Sequence, residues 1–272
     1  GLRIVLGGIA CDGPMGAAIH RSFPFVDVVV RGEAEGVLPD LMRELLSGGE
    51  PNPRPGLCLR QGGVSVAIDL AKGRTVPMDA VPTPDYDDYF ESLRGHPCRD
   101  AILPVSLQVE ASRGCWWGQK YPCTFCGLNG SSMAYRSKGE DRVFKELMAL
   151  SRRHRQVEFN FVDNILDMRH LRGLMPRLRA SGVDFQIFFE VKANLKKNDL
   201  RLLGEAGVRI LQPGIESLSQ PILDAMDKGV TPLQSIRLLK WCAQYGISVA
   251  WNFLYGFPGE PPREYARMAR LI

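Results

Sequence analysis

The chain has 272 residues, of which 45% are hydrophobic and 24% are charged. This length predicts one large or two modest domains, and the apolar fraction excludes a disordered or collagen-like chain. The net charge of +4 is small and the basic residues are scattered, so we expect no nucleic-acid partner. Because no apolar run approaches the ~18–20 residues of a membrane helix and no signal peptide opens the chain, we expect a cytoplasmic protein without a membrane partner.

The two ends of the sequence lead us to expect a segment of a longer protein. The first residue is Gly1 rather than Met, and it runs almost directly into the strand-like sequence RIVLGG. At the other end, PPREYARMARLI stops within a helical pattern.

Residues 1–50 alternate strand and helix patterns. Apolar or β-branched runs at 3–6 and 26–30 predict buried strands, and residues 11–23 and 38–46 predict helices. Strand–helix–strand–helix is typical of a parallel, doubly wound sheet, so we expect the α/β fold class. Residues 51–104 are richer in proline, contain one predicted hairpin, and are interpreted as a connector.

Residues 105–272 return to the alternation of strands and helices. Strands are predicted at 105–111, 157–162, 185–191, 208–212 and 247–255, and helices at about 140–153, 170–180, 198–206, 219–227 and 232–245. Strands that are each followed by a helix indicate a parallel barrel, or part of one. In such barrels the chemistry collects at the C-terminal ends of the strands, so the residues there are the candidates for function.

Three cysteines lie close together in the loop after the first predicted barrel strand. Cys115, Cys123 and Cys126 have the spacing C-x7-C-x2-C. Thiolates are the normal ligands of iron–sulfur clusters, whereas a closed structural zinc site takes four protein ligands. The spacing favours a cluster with one open iron, while a zinc site and simple packing thiols stay open as alternatives. The remaining cysteines are predicted to be small buried hydrophobes: Cys11, Cys58, Cys98 and Cys242.

Glycines and aromatic residues accompany these cysteines. Gly114 and Gly127 flank the loop and would permit a close backbone approach. The aromatic residues could shield a cluster, stack on an adenine, or simply pack: Trp116, Trp117, Tyr121 and Phe125.

Polar residues and glycines appear abruptly where the other predicted barrel strands end. They are Asp163 and Asn164 after the second strand, Glu190 and Lys192 at the third, Gly214, Glu216 and Ser217 at the fourth, and Gly256 after the fifth. A carboxylate there can accept hydrogen bonds from sugar hydroxyls or an ammonium, and a glycine admits backbone contact with a ligand. A structural salt bridge, a carboxylate at a helix N-terminus, or an ordinary turn are the competing interpretations.

Several segments of the sequence resemble a known family. The chain resembles the cobalamin-dependent radical S-adenosylmethionine C-methyltransferases that mature ribosomally synthesised peptides, in the stretches SRGCWWGQKYPCTFCGLNG, FVDNILDM, FFEVKANL, LQPGIESLS, LLKWC and WNFLYGFPGE. The resemblance spans about residues 1–272. The first two cysteines are separated by seven residues, where the superfamily motif usually has three.

The resemblance implies three cofactors and a division of the chain. Cys115, Cys123 and Cys126 would hold a 4Fe–4S cluster whose open iron binds S-adenosylmethionine, and Glu190 and Lys192 would lie near the carboxylate and sugar of that cofactor. Residues 105–272 would be a partial radical SAM barrel that is incomplete at its C-terminus. Residues 1–50 would be the distal part of a Rossmann-like cobalamin-binding domain, lined by Gly7, Gly8, Gly32 and Glu33.

The implied activity is transfer of a methyl group, by way of methylcobalamin, to an unactivated carbon of a ribosomal precursor peptide. An electron donor such as flavodoxin or ferredoxin would reduce the cluster. Three alternatives stay open: a radical SAM epimerase or cyclase without methyl transfer, a radical enzyme that modifies RNA, and a zinc-stabilised α/β binding protein without catalysis.

Overall fold

The computed structural model describes residues 2–69, 75–128 and 133–271. The chain forms two compact units, of which the first extends to Val81 and the second begins at Pro82. Within the described residues, no helix combines the length and the apolar character needed to cross a membrane.

The first unit is a four-stranded mixed sheet with two helices. Its elements in chain order are β1 (Val5–Leu6), α1 (Gly13–Ser22), β2 (Val28–Val30), α2 (Leu38–Leu46), β3 (Leu57–Gln61) and β4 (Val64–Ala67). Strands β1 and β2 are parallel, whereas β3 and β4 form a hairpin that pairs antiparallel with β2. The β-branched run of β2 is buried on both faces. Val28 and Val30 pack with Leu41 of α2 and Leu57 of β3, whereas Val29 packs in a second cluster with Cys11 and Cys58.

Residues 51–104, predicted as a connector, contain the β3–β4 hairpin, which belongs to the first unit. Strand β3 continues the first sheet, and the division between the units follows Val81, inside that segment. Beyond the division, the Tyr86 hydroxyl donates to the backbone carbonyl of Gln108, and the Phe90 ring stacks on His154 at 4.8 Å between centroids. The segment is therefore divided between the two units.

The second unit is built on a parallel sheet of five strands, in the order β11-β10-β9-β8-β5. Its elements in chain order are α3 (Asp87–Arg94), α4 (Arg99–Ile102), β5 (Leu107–Val109), β6 (Ser112–Arg113), β7 (Arg136–Ser137), α5 (Glu140–His154), β8 (Glu158–Phe161), α6 (Leu174–Ala180), β9 (Gln186–Lys192), α7 (Lys197–Glu205), β10 (Val208–Gly214), α8 (Gln220–Ala225), α9 (Pro232–Gln244), β11 (Ser248–Val249) and α10 (Arg263–Met268). Large apolar side chains such as Phe159, Phe161 and Phe189 fill its core. The predicted α/β class, a Rossmann-like unit followed by a partial barrel, is confirmed.

The register of the strands places the predicted polar residues side by side. Glu190 of β9 pairs with Gln212 of β10, and Lys192 pairs with Gly214. Because both strands are parallel, these residues share the C-terminal edge of the sheet. This edge is where the chemistry of a barrel is expected.

The fifth barrel strand is much shorter than the predicted 247–255. Only Ser248–Val249 is a strand, and one isolated bridge follows between Glu216 and Phe253. Glu216 has a φ of +58°, so the backbone turns away from the line of β10 just after Gly214. The ladder already stops before this turn: Ala250 still donates to the Leu211 carbonyl at 3.0 Å, but Pro213 of β10 has no N–H with which to form the next hydrogen bond.

Two further predictions about single residues differ from the structure. Cys98 is exposed just before α4, whereas Cys11, Cys58 and Cys242 are buried as expected. Helix α6 begins at Leu174 rather than 170, because residues 167–173 form turns, with Asp167 accepting a hydrogen bond from the Arg169 backbone N–H at 2.8 Å.

Candidate active site

The loop that carries the three cysteines, residues 114–127, is anchored at its start by a buried aspartate. Asp163 follows β8, and its carboxylate accepts hydrogen bonds from the Ala111 backbone N–H at 2.7 Å and from Ser112 Oγ at 2.9 Å. Burial raises the pKa of Asp163 to about 7, although both hydrogen bonds oppose this shift. Asp163 therefore faces the beginning of the cysteine loop, and of the predicted pair only Asn164 lies at the cavity described below.

Gly114 permits the sharp entry into the cysteine loop. Its φ is +77°, and a Cβ at this position would lie 2.3 Å from the Ala134 carbonyl oxygen. The backbone of Cys115 donates to the Met133 carbonyl at 3.2 Å, and β6 pairs antiparallel with β7 nearby. Only glycine fits here without displacing the returning chain. Gly127 differs from the expectation, because no atom of the described residues lies within 4 Å of the position that a Cβ would take there.

The three cysteines lie around one cavity at the C-terminal edge of the barrel sheet. Cys115, Cys123 and Cys126 line this cavity of about 320 Å³. Cys115 Sγ also accepts a hydrogen bond from the Gly118 backbone N–H at 3.3 Å. Burial raises the pKa of the Cys123 thiol, while the positive charges of Lys228 and Lys192 oppose that shift. Ammonium groups near the thiols favour the thiolate form that metal ligands require.

Another part of the cavity wall consists of the strand ends. Glu190, Lys192, Gly214 and Glu216 line it, together with Gln212, Asn164, Asn252 and Lys228. The structure therefore brings the three cysteines and these first four residues to one place, together with Asn164, which the sequence also singled out.

Two carboxylates of this wall differ in their partners. Glu216 forms an ion pair with Lys228, with 3.1 Å between Oε1 and Nζ. The Glu190 carboxylate has no hydrogen-bond partner within the described residues, and burial together with the charge of Glu216 raises its pKa. A half-buried carboxylate of this kind is ready to accept hydrogen bonds from a ligand.

Lys192 is held at the wall by two contacts. Its Nζ lies 3.5 Å from the centroid of the Trp117 ring and donates to the Lys228 carbonyl at 2.7 Å. Burial lowers the pKa of Lys192 to about 8. The cation–π contact joins the third barrel strand to the cysteine loop.

The aromatic residues of the loop divide between the cavity and the protein interior. Trp117 and Phe125 line the cavity, whereas Trp116 donates from its indole nitrogen to the Leu166 carbonyl at 3.0 Å. Tyr121 is largely exposed and lies against Trp117, with 5.0 Å between ring centroids. Of the four, Trp117 and Phe125 are therefore the ones placed to contact a cofactor.

Two candidates from the sequence do not reach the cavity. Ser217 is fully buried, and its hydroxyl contacts Met268 Sδ at 3.3 Å. The backbone N–H of Gly256 donates to Glu260 Oε1 at 2.7 Å, and Gly256 is not among the residues that line the cavity. The cavity in turn contains Lys228, which the sequence analysis missed because nothing in its neighbourhood distinguishes it from a surface lysine.

The candidates in the first unit lie after its two parallel strands. Gly7 and Gly8 follow β1, and Gly32 and Glu33 follow β2. Gly8 and Gly32 have φ values of +84° and +75°, so both use backbone conformations that favour glycine. The Glu33 carboxylate accepts a hydrogen bond from the Val76 backbone N–H at 2.7 Å.

The donor set of the cavity fits an iron–sulfur cluster. No disulfide joins any of the seven cysteines, so the three in the loop are available as thiolate ligands. A cluster binds each cysteine through a different iron, and its ligands therefore surround it instead of converging on one point. In the described ranges, no three His, Cys, Asp or Glu side chains are arranged to hold a single metal ion.

A partial α/β barrel with three thiols at the C-terminal ends of its strands defines a class of iron–sulfur proteins. The family model of the radical SAM superfamily matches residues 109–272, which is more than half of the chain. The chain belongs to the radical SAM superfamily. This membership implies a 4Fe–4S cluster and S-adenosylmethionine as cofactors.

Curated relatives include methyltransferases. An uncharacterized methyltransferase of Pyrococcus horikoshii is 29% identical over 252 residues, which cover 90% of this chain and 52% of the relative. The bacteriochlorophyllide d C-12(1)-methyltransferase of Chlorobaculum tepidum is 25% identical over 214 residues, which cover 74% of this chain and 45% of that protein. The chain thus spans about half the length of these curated relatives.

Solved structures share the fold over nearly the whole chain. The radical S-adenosylmethionine methyltransferase TsrM from Kitasatospora setae, solved with cobalamin and a 4Fe–4S cluster bound, has a TM-score of 0.73 at 19% identity and covers 99% of this chain and 54% of its own. The cobalamin-dependent radical enzyme OxsB, solved with aqua-cobalamin, has a TM-score of 0.70 at 19% identity and covers 92% of this chain and 36% of its own.

Proposed function

We propose that the protein is a cobalamin-dependent radical SAM C-methyltransferase. The observation that carries the proposal is the cavity that three thiols share with two carboxylates and two lysines at the C-terminal edge of the barrel sheet. The methyltransferase relatives support methyl transfer, and the bound cobalamin of two solved structures with this fold supports the third cofactor.

The residues of the cavity divide the work of holding the cofactors. Cys115, Cys123 and Cys126 would bind the cluster through their thiolates. The carboxylate of Glu190 is available for the ammonium or the ribose hydroxyls of S-adenosylmethionine, and the Lys192 ammonium for its carboxylate. When bound, the cluster and S-adenosylmethionine supply the radical that removes a substrate hydrogen atom, and cobalamin supplies the methyl group.

The first unit would hold cobalamin through the segments after β1 and β2. The left-handed conformations of Gly8 and Gly32 leave the backbone uncovered by side chains, which suits contact with a large planar ligand. The hydrogen bond from Val76 fixes one end of the Glu33 segment.

The proposed substrate is an unactivated carbon in a ribosomal precursor peptide, and the proposed reductant is a flavodoxin or ferredoxin. Both follow from the resemblance of the sequence to the peptide-modifying enzymes. All seven cysteines lack disulfide bonds, as a reducing compartment would leave them, so a cytoplasmic location belongs to the proposal.

The proposal is tested with methyl-deuterated S-adenosylmethionine. The full-length protein, purified without oxygen and supplied with cobalamin, is incubated in separate reactions with the products of short open reading frames beside its gene and with cellular RNA. Mass spectrometry should find the deuterated methyl group on a carbon of the peptide, and the Cys126→Ala variant should give none. An altered but unlabelled peptide would instead indicate an epimerase or cyclase, and label in RNA alone would assign the enzyme to nucleic acid.

A further inference from the structure

The cysteine loop is fastened to the barrel by the turn that follows α8, residues 225–229, which we call the clip. The backbone N–H of Thr124 donates to the Met226 carbonyl at 3.1 Å, and Thr124 Oγ1 donates to the Ala225 carbonyl at 3.2 Å. Thr124 lies between two of the cluster cysteines, Cys123 and Cys126. The clip therefore holds the loop at a residue that lies between two of the cluster cysteines.

Gly229 closes the clip against the aromatic wall of the loop. Its φ is +62°, and a Cβ there would lie 2.2 Å from the Trp117 ring. Trp117 thus lies close to both Gly229 and the Lys192 ammonium.

Lys228 connects the clip to both the loop and the strand ends. Its Nζ forms the ion pair with Glu216 at 3.1 Å and lies 5.1 Å from the centroid of the Phe125 ring. Its backbone carbonyl accepts the hydrogen bond from Lys192 Nζ. Gly214 leaves room for the ammonium, because a Cβ at that position would lie 2.9 Å from Lys228 Nζ.

We infer that Lys228 is a positioning residue of the cluster site: its ammonium holds the cysteine loop against the strand ends and favours reduction of the cluster. The inference rests on the proposed function only through the cluster itself. The Lys228 side chain is 11% exposed and the Glu216 side chain is 14% exposed, so solvent screens their charges little.

Reduction adds negative charge to the cluster. One electron passes from an external donor of low potential to the cluster, with no bond made or broken. The reduced cluster carries more negative charge than the oxidised cluster, so a nearby ammonium stabilises it preferentially. Lys228 lines the same cavity as the three cysteines, so its ammonium lies close to the cluster that they would hold.

The test compares Lys228→Met, which removes the charge, with Lys228→Arg, which keeps it. Lys240→Met is the matched control, because Lys240 is exposed on α9 and away from the cavity. The full-length protein is purified without oxygen, and the midpoint potential of the cluster is measured by redox titration with electron paramagnetic resonance. We expect Lys228→Met to make reduction about tenfold less favourable, a fall of about 59 mV for one electron, and the other two variants to match the unsubstituted protein.

An unchanged potential in Lys228→Met would overturn the inference, as would an equal fall in Lys228→Arg. If Lys228→Met holds no cluster, iron content decides: retention by Lys228→Arg supports positioning by the charge, and loss from both variants contradicts it. The titration uses neither peptide nor S-adenosylmethionine, so a failure of methyl transfer would leave this result untouched.

The clip is tested separately at Gly229. Gly229→Ala should lower the iron bound per chain because the new methyl group displaces Trp117. Gly246→Ala is the matched control, since Gly246 has a similar φ of +67° but no atom from the described part of the chain within 4 Å of the position of a Cβ. Equal iron in both variants would show that the clip does not support the loop.

Discussion

Asp163 shows how one buried side chain positions a functional loop from outside the cavity. Its carboxylate satisfies the backbone N–H of Ala111, a residue with no exposed surface, and the hydroxyl of Ser112. Asp163→Ala would leave that N–H unpaired in the interior, which costs about 1–3 kcal/mol. Asp163→Asn is the matched control, because its amide oxygen can still accept from Ala111. We expect urea denaturation to show the alanine variant less stable than the asparagine variant by this amount, and equal stabilities would contradict the role.

The raised pKa of Asp163 also predicts a pH dependence. The folded protein holds this proton up to a pKa of about 7, whereas an unfolded aspartate releases it near about 4. The stability contributed by the group is therefore complete below about pH 4 and is lost as the pH rises through about 7. Asp163→Asn should remove this part of the decline in the free energy of unfolding, and a decline as steep as that of the unsubstituted protein would refute the assignment.

At the scale of elements, the β6–β7 ribbon fixes where the cysteine loop leaves the barrel. Gly114→Ala would place a methyl group against the fixed backbone of Ala134 and force a left-handed φ on a residue with a side chain. We expect this variant to bind much less iron. Gly127→Ala is the control, because it borders Cys126 and has open space around it. Similar iron content in the two variants would show that the ribbon does not determine the site.

Some helices and strands can be predicted from local sequence patterns, and others cannot. Helix α2 and strands β8, β9 and β10 lie where apolar periodicity predicts them, because each buries one continuous face or both. The fifth strand is shorter than predicted because its length depends on a partner, and Pro213 of β10 has no N–H to continue the ladder. The end of a strand depends on the adjacent strand of the sheet, which lies elsewhere in the sequence.

At the scale of the whole molecule, the sequence predicts those residues of the candidate site that a local pattern distinguishes. The three cysteines lie in one loop, and Glu190, Lys192, Gly214 and Glu216 stand where apolar strands end. Lys228 could not be found this way, because only the path of the chain through α8 brings it back to Glu216. The sequence also predicts the hairpin of the first unit. It does not predict the pairing of that hairpin with β2, because this is a long-range contact that local patterns do not encode.

The account depends most directly on the three cysteines of the loop as ligands of a 4Fe–4S cluster. Iron and acid-labile sulfide per chain should therefore be measured in the anaerobically purified full-length protein, in Cys126→Ala and in Cys98→Ala. Cys98 is exposed and lies away from the cavity, so its variant is the matched control. We predict a full complement in the unsubstituted protein and in Cys98→Ala, with loss of the cluster and its brown colour in Cys126→Ala. Full iron and sulfide in Cys126→Ala, or one zinc per chain without iron in the unsubstituted protein, would contradict the account.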